Sequence, residues 1–594
     1  MTNKKLLILL IAGLFFNLAA CRKNFSEEKY TEPEVPVQPD LGVKITATVA
    51  GFITDENKNP VSGAEVKAGN KQGLTDEYGY FKLSNVVLPK TAGFVKITKK
   101  GYFEAFKTFT AKEGKETFLR SLLFEKKETA NFAAASGGTA TTSGGAKVSL
   151  PANAVVTAAN GNAYTGQVHV SARLIDLASM EEQELSAVSD GRGINTAGNL
   201  RALKSFSSIM VELNGAAGEK LQIATGAKAT LTLPIASALI ATAPAQIALW
   251  SYDEGNGLWK EEGTAVKTGN AYVGTVGHFS FWDGAVGMAL VNFTAQVLNS
   301  NLQPLANVPV VVSYANQPAN SGHSRFGFTD VNGNVSGAIP ANSSLVLEVM
   351  TTCAIPAYAY PFSTGSSNAD LGVLTGNMGQ GLVTITGTVN NCSGQPVTNG
   401  YVQTYDHGFY NRIAVNNGSF SFTGLACVNT SISYVAVDNN THQQNTPQTI
   451  TLATGMNNLG VLTACGTSTI GNITYSIDGV TRTMIEPADT LAAYGFPPNP
   501  YTTIINLRTG SNSPTMSLQF DGGMTLGSNH KISDIWSEGY ASGRAFAPVP
   551  LTVTITEYGD IGGFISGSFS GSVQDFVSGA PHIINYSFRV KRFN

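Results

Sequence analysis

Gly51-Phe52-Ile53-Thr54-Asp55, then Pro60-Val61-Ser62-Gly63-Ala64-Glu65-Val66, then Thr75-Asp76-Glu77-Tyr78-Gly79-Tyr80-Phe81: this stretch decides the fold, because the chain writes it three times. Ala295-Gln296-Val297-Leu298-Asn299 leads without a gap to Pro304-Leu305-Ala306-Asn307-Val308-Pro309-Val310. Gly387-Thr388-Val389-Asn390-Asn391 leads in the same way to Pro396-Val397-Thr398-Asn399-Gly400-Tyr401-Val402. The later block recurs as Thr329-Asp330-Val331-Asn332-Gly333-Asn334-Val335 and, reduced, as Asn417-Gly418-Ser419-Phe420. The last two copies also share a closing signature, Asp370-Leu371-Gly372-Val373-Leu374-Thr375 against Asn458-Leu459-Gly460-Val461-Leu462-Thr463. Self-similarity of this kind means one supersecondary unit used repeatedly.

Each block has a local reading. The opening segment alternates apolar and polar residues, as a half-buried strand does. A proline at the start of the next strand costs no ladder hydrogen bond. Thr-Asp-x-x-Gly is a turn, in which Asp bonds its own backbone and Gly supplies positive φ. The strand after it carries Phe81, Val335 or Phe420 inward. The pattern resembles the carboxypeptidase regulatory-like domain, a transthyretin-like Greek-key sandwich. The resemblance implies three such domains, at 43–127, 288–378 and 379–466, with no catalytic residues of their own. The second copy has Ala295 where the family has Gly, and the third lacks the Thr-Asp pair.

Composition agrees with an all-β chain of tandem Greek-key β-sandwiches, transthyretin-like or immunoglobulin-like. The 594 residues are enough for several domains. Charged residues are 13%, glycines number 63, and long amphipathic helical patterns are scarce. A net charge of −3 gives no reason to expect a nucleic-acid partner.

The amino terminus carries the localisation signal. Lys4 and Lys5 precede an apolar run from Leu6 to Phe16, closed by Leu18-Ala19-Ala20-Cys21. Such a run is too short for a permanent span and reads as a secretory signal. Its end resembles the bacterial lipobox, which implies that 1–21 is a lipoprotein signal peptide with its lipidated cysteine, cut so that Cys21 carries the lipid as the mature N-terminus. The membrane is then a partner through that lipid. Residues 22–42 are polar, acidic and proline-rich, an extended linker. Ser26-Glu27-Glu28 resembles the export tag of Bacteroidetes surface lipoproteins. The expected location is the outer membrane, exposed at the cell surface, with a periplasm-facing orientation as the alternative.

Residues 130–287 differ from the repeats. The order Leu150-Pro151, Leu249-Trp250, Trp259 and His278-Phe279-Ser280-Phe281-Trp282 resembles the β-sandwich shared by netrin receptors and ankyrins. Some members of that family cleave themselves between Phe and Ser. Carried over, Ser280 attacks the Phe279 carbonyl and His278 takes the proton. The other reading makes Phe279 and Trp282 core anchors and His278 a strand-end residue. Residues 467–594, with alternating strands such as Leu551 to Ile555, resemble the C-terminal β domains of Bacteroidetes lipoproteins.

Other chemistry is sparse. Cys353, Cys392, Cys427 and Cys465 are even in number in an exported chain and suggest two disulfides, with three pairings open. No CxxC or ligand-spaced His indicates a metal site. Tyr252-Asp253-Glu254-Gly255-Asn256-Gly257 has the oxygens a structural Ca²⁺ loop uses but not the EF-hand spacing, and reads better as a hairpin turn. No cofactor is expected. Tyr401, Tyr405, His407, Phe409 and Tyr410 form an aromatic cluster, either a stacking site for sugars or core and edge filling. No Gly-x-Ser-x-Gly, His-Glu-x-x-His or phosphate loop occurs. The sequence therefore points to a non-enzymatic surface lipoprotein, a binding or adhesion module or structural stalk. The alternatives are an accessory glycan-binding protein of polysaccharide uptake and a self-cleaving surface protein. The partner is an unidentified protein or polysaccharide.

Overall fold

The computed structural model describes residues 41–177, 179, 191–315, 325–376, 381–406, 409–485, 489–496, 502–509, 514–521, 525–537, 544–559 and 563–592. Residues 1–40, which hold the expected leader, Cys21 and most of the expected linker, and His407 lie outside them. Within them the protein is all-β, built from sandwiches in tandem, with one short 3-10 turn at Ser237–Thr242.

Each written repeat builds a three-stranded sheet and a second sheet, four-stranded in the first two copies and six-stranded in the third. In the first, Lys44–Asp55 lies between Tyr80–Pro89 and Glu116–Leu123, and a four-stranded sheet runs Lys71–Leu74, Glu65–Ala68, Gly93–Thr98, Ala105–Phe109. In the second, Leu290–Leu298 lies between Asn334–Pro340 and Ala369–Thr375, and in the third Leu382–Asn391 lies between Ser419–Leu425 and Gly455–Ala464. In all three the last strand runs parallel to the first. Val49, Phe81, Val66 and Val95 of the first repeat fill the space between its sheets, as alternation places every second side chain on the inner face.

The recurring residues do the same work in each copy. Asp55, Asn299 and Asn391 end the first strand by accepting two downstream N–H groups apiece through one side-chain oxygen. Pro60, Pro304 and Pro396 bridge back to that strand. Thr75 and Thr329 are buried, and each hydroxyl donates to the carbonyl just after that proline, Val61 and Leu305. The turn glycine offers its carbonyl to the first strand: Gly79 to Ile53 N–H, Gly333 to Val297 N–H, Gly418 to Val389 N–H. It needs glycine because φ is +70° at Gly79 and a Cβ there would stand 2.3 Å from the Ile53 carbonyl oxygen. The third copy, lacking Thr-Asp, turns instead through Asn417 and Gly418, both at positive φ.

The closing signature is a β-bulge in the parallel edge strand. Register runs Thr294↔Asp370, then jumps to Gln296↔Val373; the third copy runs Thr386↔Asn458, then Thr388↔Val461. Gly372 and Gly460 take positive φ, and their N–H groups donate to Asp370 Oδ1 and Asn458 Oδ1.

The middle sandwich is built on a thirteen-stranded sheet with Val168, Leu231, Leu249 and Trp282 in its core. The C-terminal module is a ten-stranded sheet around Phe520, Val553 and Phe588. The first repeat and the middle sandwich share a core. Trp250, Tyr252 and Phe281 of the middle sandwich join the core of the first repeat, with Phe106 5.0 Å from the Tyr252 ring and 5.9 Å from Phe281.

Candidate functional site

His278, Phe279 and Ser280 form the bend before strand Phe281–Met288. Gln222 holds this bend from both sides. Its side-chain oxygen accepts the Phe279 N–H (2.6 Å) and its amide donates to the Phe279 carbonyl (3.0 Å). The Phe279 ring is buried, and Trp282 donates its indole N–H to the His278 carbonyl. The Ser280 hydroxyl donates to the Phe281 carbonyl, beyond the bond it would attack. The His278 ring is 2.6 Å from Glu262. Burial pushes the Glu262 carboxyl up, but its hydrogen bonds from Lys260 and His278 outweigh this and leave it below its ordinary value. No hydrogen bond joins His278 to Ser280, so the resting bend is a packed corner.

The oxygen-rich stretch at 252–257 is a hairpin turn between Gln246–Asp253 and Leu258–Thr268. Asp253 spends its carboxylate on the Gly255 N–H and the Asn256 side-chain amide.

The aromatic cluster of the third repeat lies at a junction with the first repeat. Tyr410, 7% exposed, stacks on Phe52 at 5.1 Å and lies 4.5 Å from Tyr405. The Arg120 guanidinium sits 3.6 Å over Phe409. Arg412 is held between Tyr80 (3.7 Å) and Tyr401 (4.2 Å), donates to Gln403, and forms an ion pair with Asp76. Burial pushes the Tyr80 and Tyr401 phenols up to about 12, against the pull of Arg412. Burial raises Tyr410 as well. The structure thus brings Phe409 and Tyr410 against the first repeat, Tyr401 to it through Arg412, and Tyr405 against Tyr410; His407 lies outside the described residues.

Sequence reasoning missed the cations that organise this junction. Arg412 is a lone charge in the strand Phe409–Val415, and such an interruption of an alternating strand is the signal that could have found it. The Thr75–Gly79 turn is the hub. Asp76 caps the Tyr78 and Tyr80 N–H groups with one oxygen and meets Arg412 with the other. Glu77 reaches Arg589 of the C-terminal module at 3.2 Å, and Tyr78 hydrogen-bonds Gln444. Burial raises the Glu77 carboxyl above its ordinary value despite Arg589.

The four cysteines stand as two pairs. Cys392 and Cys465 (Cα–Cα 5.0 Å) tie the ends of the first and last strands of the third repeat. Cys353 and Cys427 (Cα–Cα 5.7 Å) join the second repeat to the third. Beneath the latter, Asp406, 5% exposed, accepts from Thr352 Oγ1 and the Cys427 N–H.

A cleft of about 320 Å³ opens where the first repeat, the middle sandwich and the second repeat meet. Its walls include Glu116 to Arg120, Trp259 and Asn334 to Ala338.

No protein-family model and no curated protein matches the chain. Among solved structures it is similar to the shaft pilin SpaA of Lactobacillus rhamnosus GG, at 9% identity over 30% of this chain and 99% of the pilin, TM-score 0.16. It is also similar to GBS52, the minor pilin of Streptococcus agalactiae, at 10% identity over 30% of this chain and 97% of that one, TM-score 0.15. A 9R-lipoxygenase from Cyanothece matches at 23% identity over 15% of this chain, TM-score 0.12, and the match spans only 17% of the lipoxygenase. Overlaps this loose carry no argument about function.

Proposed function

We propose that this chain is a lipid-tethered protein of the outer cell envelope that works as a structural or adhesive module and has no catalytic chemistry of its own. The observation that carries the reading is the pairing of all four cysteines beyond Cys21, two by two, at disulfide distance. Structural disulfides persist in oxidising compartments outside the cytoplasm. The lipobox-like Leu18-Ala19-Ala20-Cys21 supplies the tether in this reading, and the proline-rich linker sets the folded body off the bilayer. The three repeats serve as regulatory-like, transthyretin-type modules. The polar groups at the Phe279–Ser280 bend are spent on packing, and the aromatics of the third repeat on the junction with the first. Both facts favour a mechanical over a chemical role.

Metabolic labelling with a fatty-acid analogue tests the tether. The wild-type protein takes up label and fractionates with the outer membrane. Cys21→Ala takes up none and is released. An unlabelled wild-type protein in the soluble cytosolic fraction refutes the proposal.

A further inference from the structure

We propose that the cleft between the first and second repeats binds an extended acidic peptide, which pairs as an added strand on the edge of Glu116–Leu123. This goes beyond the tethering role and does not depend on it.

Two sheet edges face the cleft. Glu116–Leu123 is the outermost strand of its sheet and pairs only with Lys44–Asp55. On the opposite wall, Asn334–Pro340 is outermost in its sheet and pairs only with Leu290–Leu298. Thr48 N–H donates to the Lys115 carbonyl, which fixes the phase of the ladder. Alternation then leaves the backbone groups of Glu116 and Phe118 on the open side. An unpaired edge is a template for another strand.

Comparison among the repeats makes the edge distinctive. The equivalent last strands of the second and third repeats, Ala369–Thr375 and Gly455–Ala464, carry the glycine bulge, and bulges blunt an edge against pairing. Glu116–Leu123 has none. It runs in unbroken register from Thr48↔Glu116 to Asp55↔Leu123. Of the three last strands, the one that lines the cleft is therefore the one kept regular.

The side chains choose the occupant. Phe118 and Phe328 meet edge to face at 5.6 Å and give an apolar floor. The carboxylates of Glu116 and Asp330 are paired with Lys82 (2.8 Å) and Lys112 (3.9 Å). Lys115 on the rim is exposed and has no ion pair among the described residues. A strand that brings a carboxylate to Lys115 and apolar side chains to the phenyl rings matches both. The wall from Glu116 to Arg120 is about 16 Å long at ~3.3 Å per residue, enough for about five residues of strand.

The test uses the full mature chain. The probe is an acetylated octapeptide of alternating valine and threonine with glutamate at both ends. Its twin carries N-methyl groups on every second amide, which removes the donors a strand needs. The probe is expected to bind saturably and to slow amide exchange at residues 116–120 by about tenfold or more. The twin is expected to bind at least about tenfold more weakly. Lys115→Glu weakens the acidic probe about fivefold and strengthens a lysine-ended version, which a merely unfolded variant does not do. Equal binding of the two twins, exchange at 116–120 unmoved by a bound probe, or no binding of the probe overturns the proposal. So does protection of this edge by a second copy of the chain, read as dimerisation.

Discussion

Removing one disulfide at a time separates two roles that loop length alone does not. The pairs span nearly equal separations, 74 residues for Cys353–Cys427 and 73 for Cys392–Cys465. Closing a loop of that length removes about 15 cal/mol/K from the unfolded chain, or about 4.4 kcal/mol at 25 °C, on the chain-entropy account. At about 2–4 °C per kcal/mol for a cooperative unit of roughly 150–250 residues, each loss lowers a melting transition by about 9–18 °C. The consequences differ in kind. Cys392–Cys465 links strands already neighbours in one sheet, so Cys392→Ala/Cys465→Ala lowers the transition of the third repeat and leaves it single. Cys353–Cys427 crosses between repeats, so Cys353→Ala/Cys427→Ala both lowers it and splits the second repeat from the third. Alanine at 427, a site 4% exposed, keeps the backbone N–H that Asp406 and Thr352 accept. Differential scanning calorimetry reads the transitions, and a non-reducing peptide map reads the pairing. A map joining Cys353 to Cys392, or melting unaltered in both double variants, refutes the reasoning.

Three more outcomes are expected. Gly79→Ala forces a Cβ at positive φ to within 2.3 Å of the Ile53 carbonyl oxygen and destabilises the first repeat by about 1–3 kcal/mol in urea titration; no change would remove the turn's role. The Glu77 carboxyl, raised by burial, holds its proton more tightly folded than unfolded. Its contribution to stability is therefore complete below its ordinary value of 4.5 and lost as pH rises through the folded value, so Glu77→Gln flattens the pH dependence of melting above 4.5; an unchanged slope counts against the hub. Tyr80 and Tyr401 ionise at about 12 rather than 10, so their share of stability is full below pH 10 and fades as pH climbs to 12. Phenolate absorbance in Tyr80→Phe and Tyr401→Phe reads this, and ionisation of both near 10 would show the junction open in solution.

Much of the fold was legible because each repeat is stabilised by local chemistry. Asp55, Pro60, Thr75 and Gly79 act within one strand–turn–strand unit, and their spacing alone carries the pattern. The closing Leu-Gly signature was visible as a repeat, but its meaning as a bulge needs the partner strand, some seventy residues away in sequence. The aromatic cluster was seen as a group without its surroundings, since Phe52, Tyr80 and Arg120 come from a distant repeat. Asp76 and Glu77 read as part of a turn, and nothing local tells a turn that meets water from one that meets Arg412 and Arg589. The cysteine pairs had the same limit, because pairing depends on how repeats abut.

The parallel pairing of first and last strands has a consequence for how the molecule comes into being. Thr48 waits for Glu116, Phe293 for Ala369 and Val383 for Gly455 before the three-stranded sheets can close. Contacts so remote along the chain form slowly, because ring closure must precede any reward. A polypeptide emerging end first from a ribosome therefore leaves each repeat unfinished until its final segment is out. The same topology that locks the finished sheets leaves each nascent repeat open until its last strand has been made.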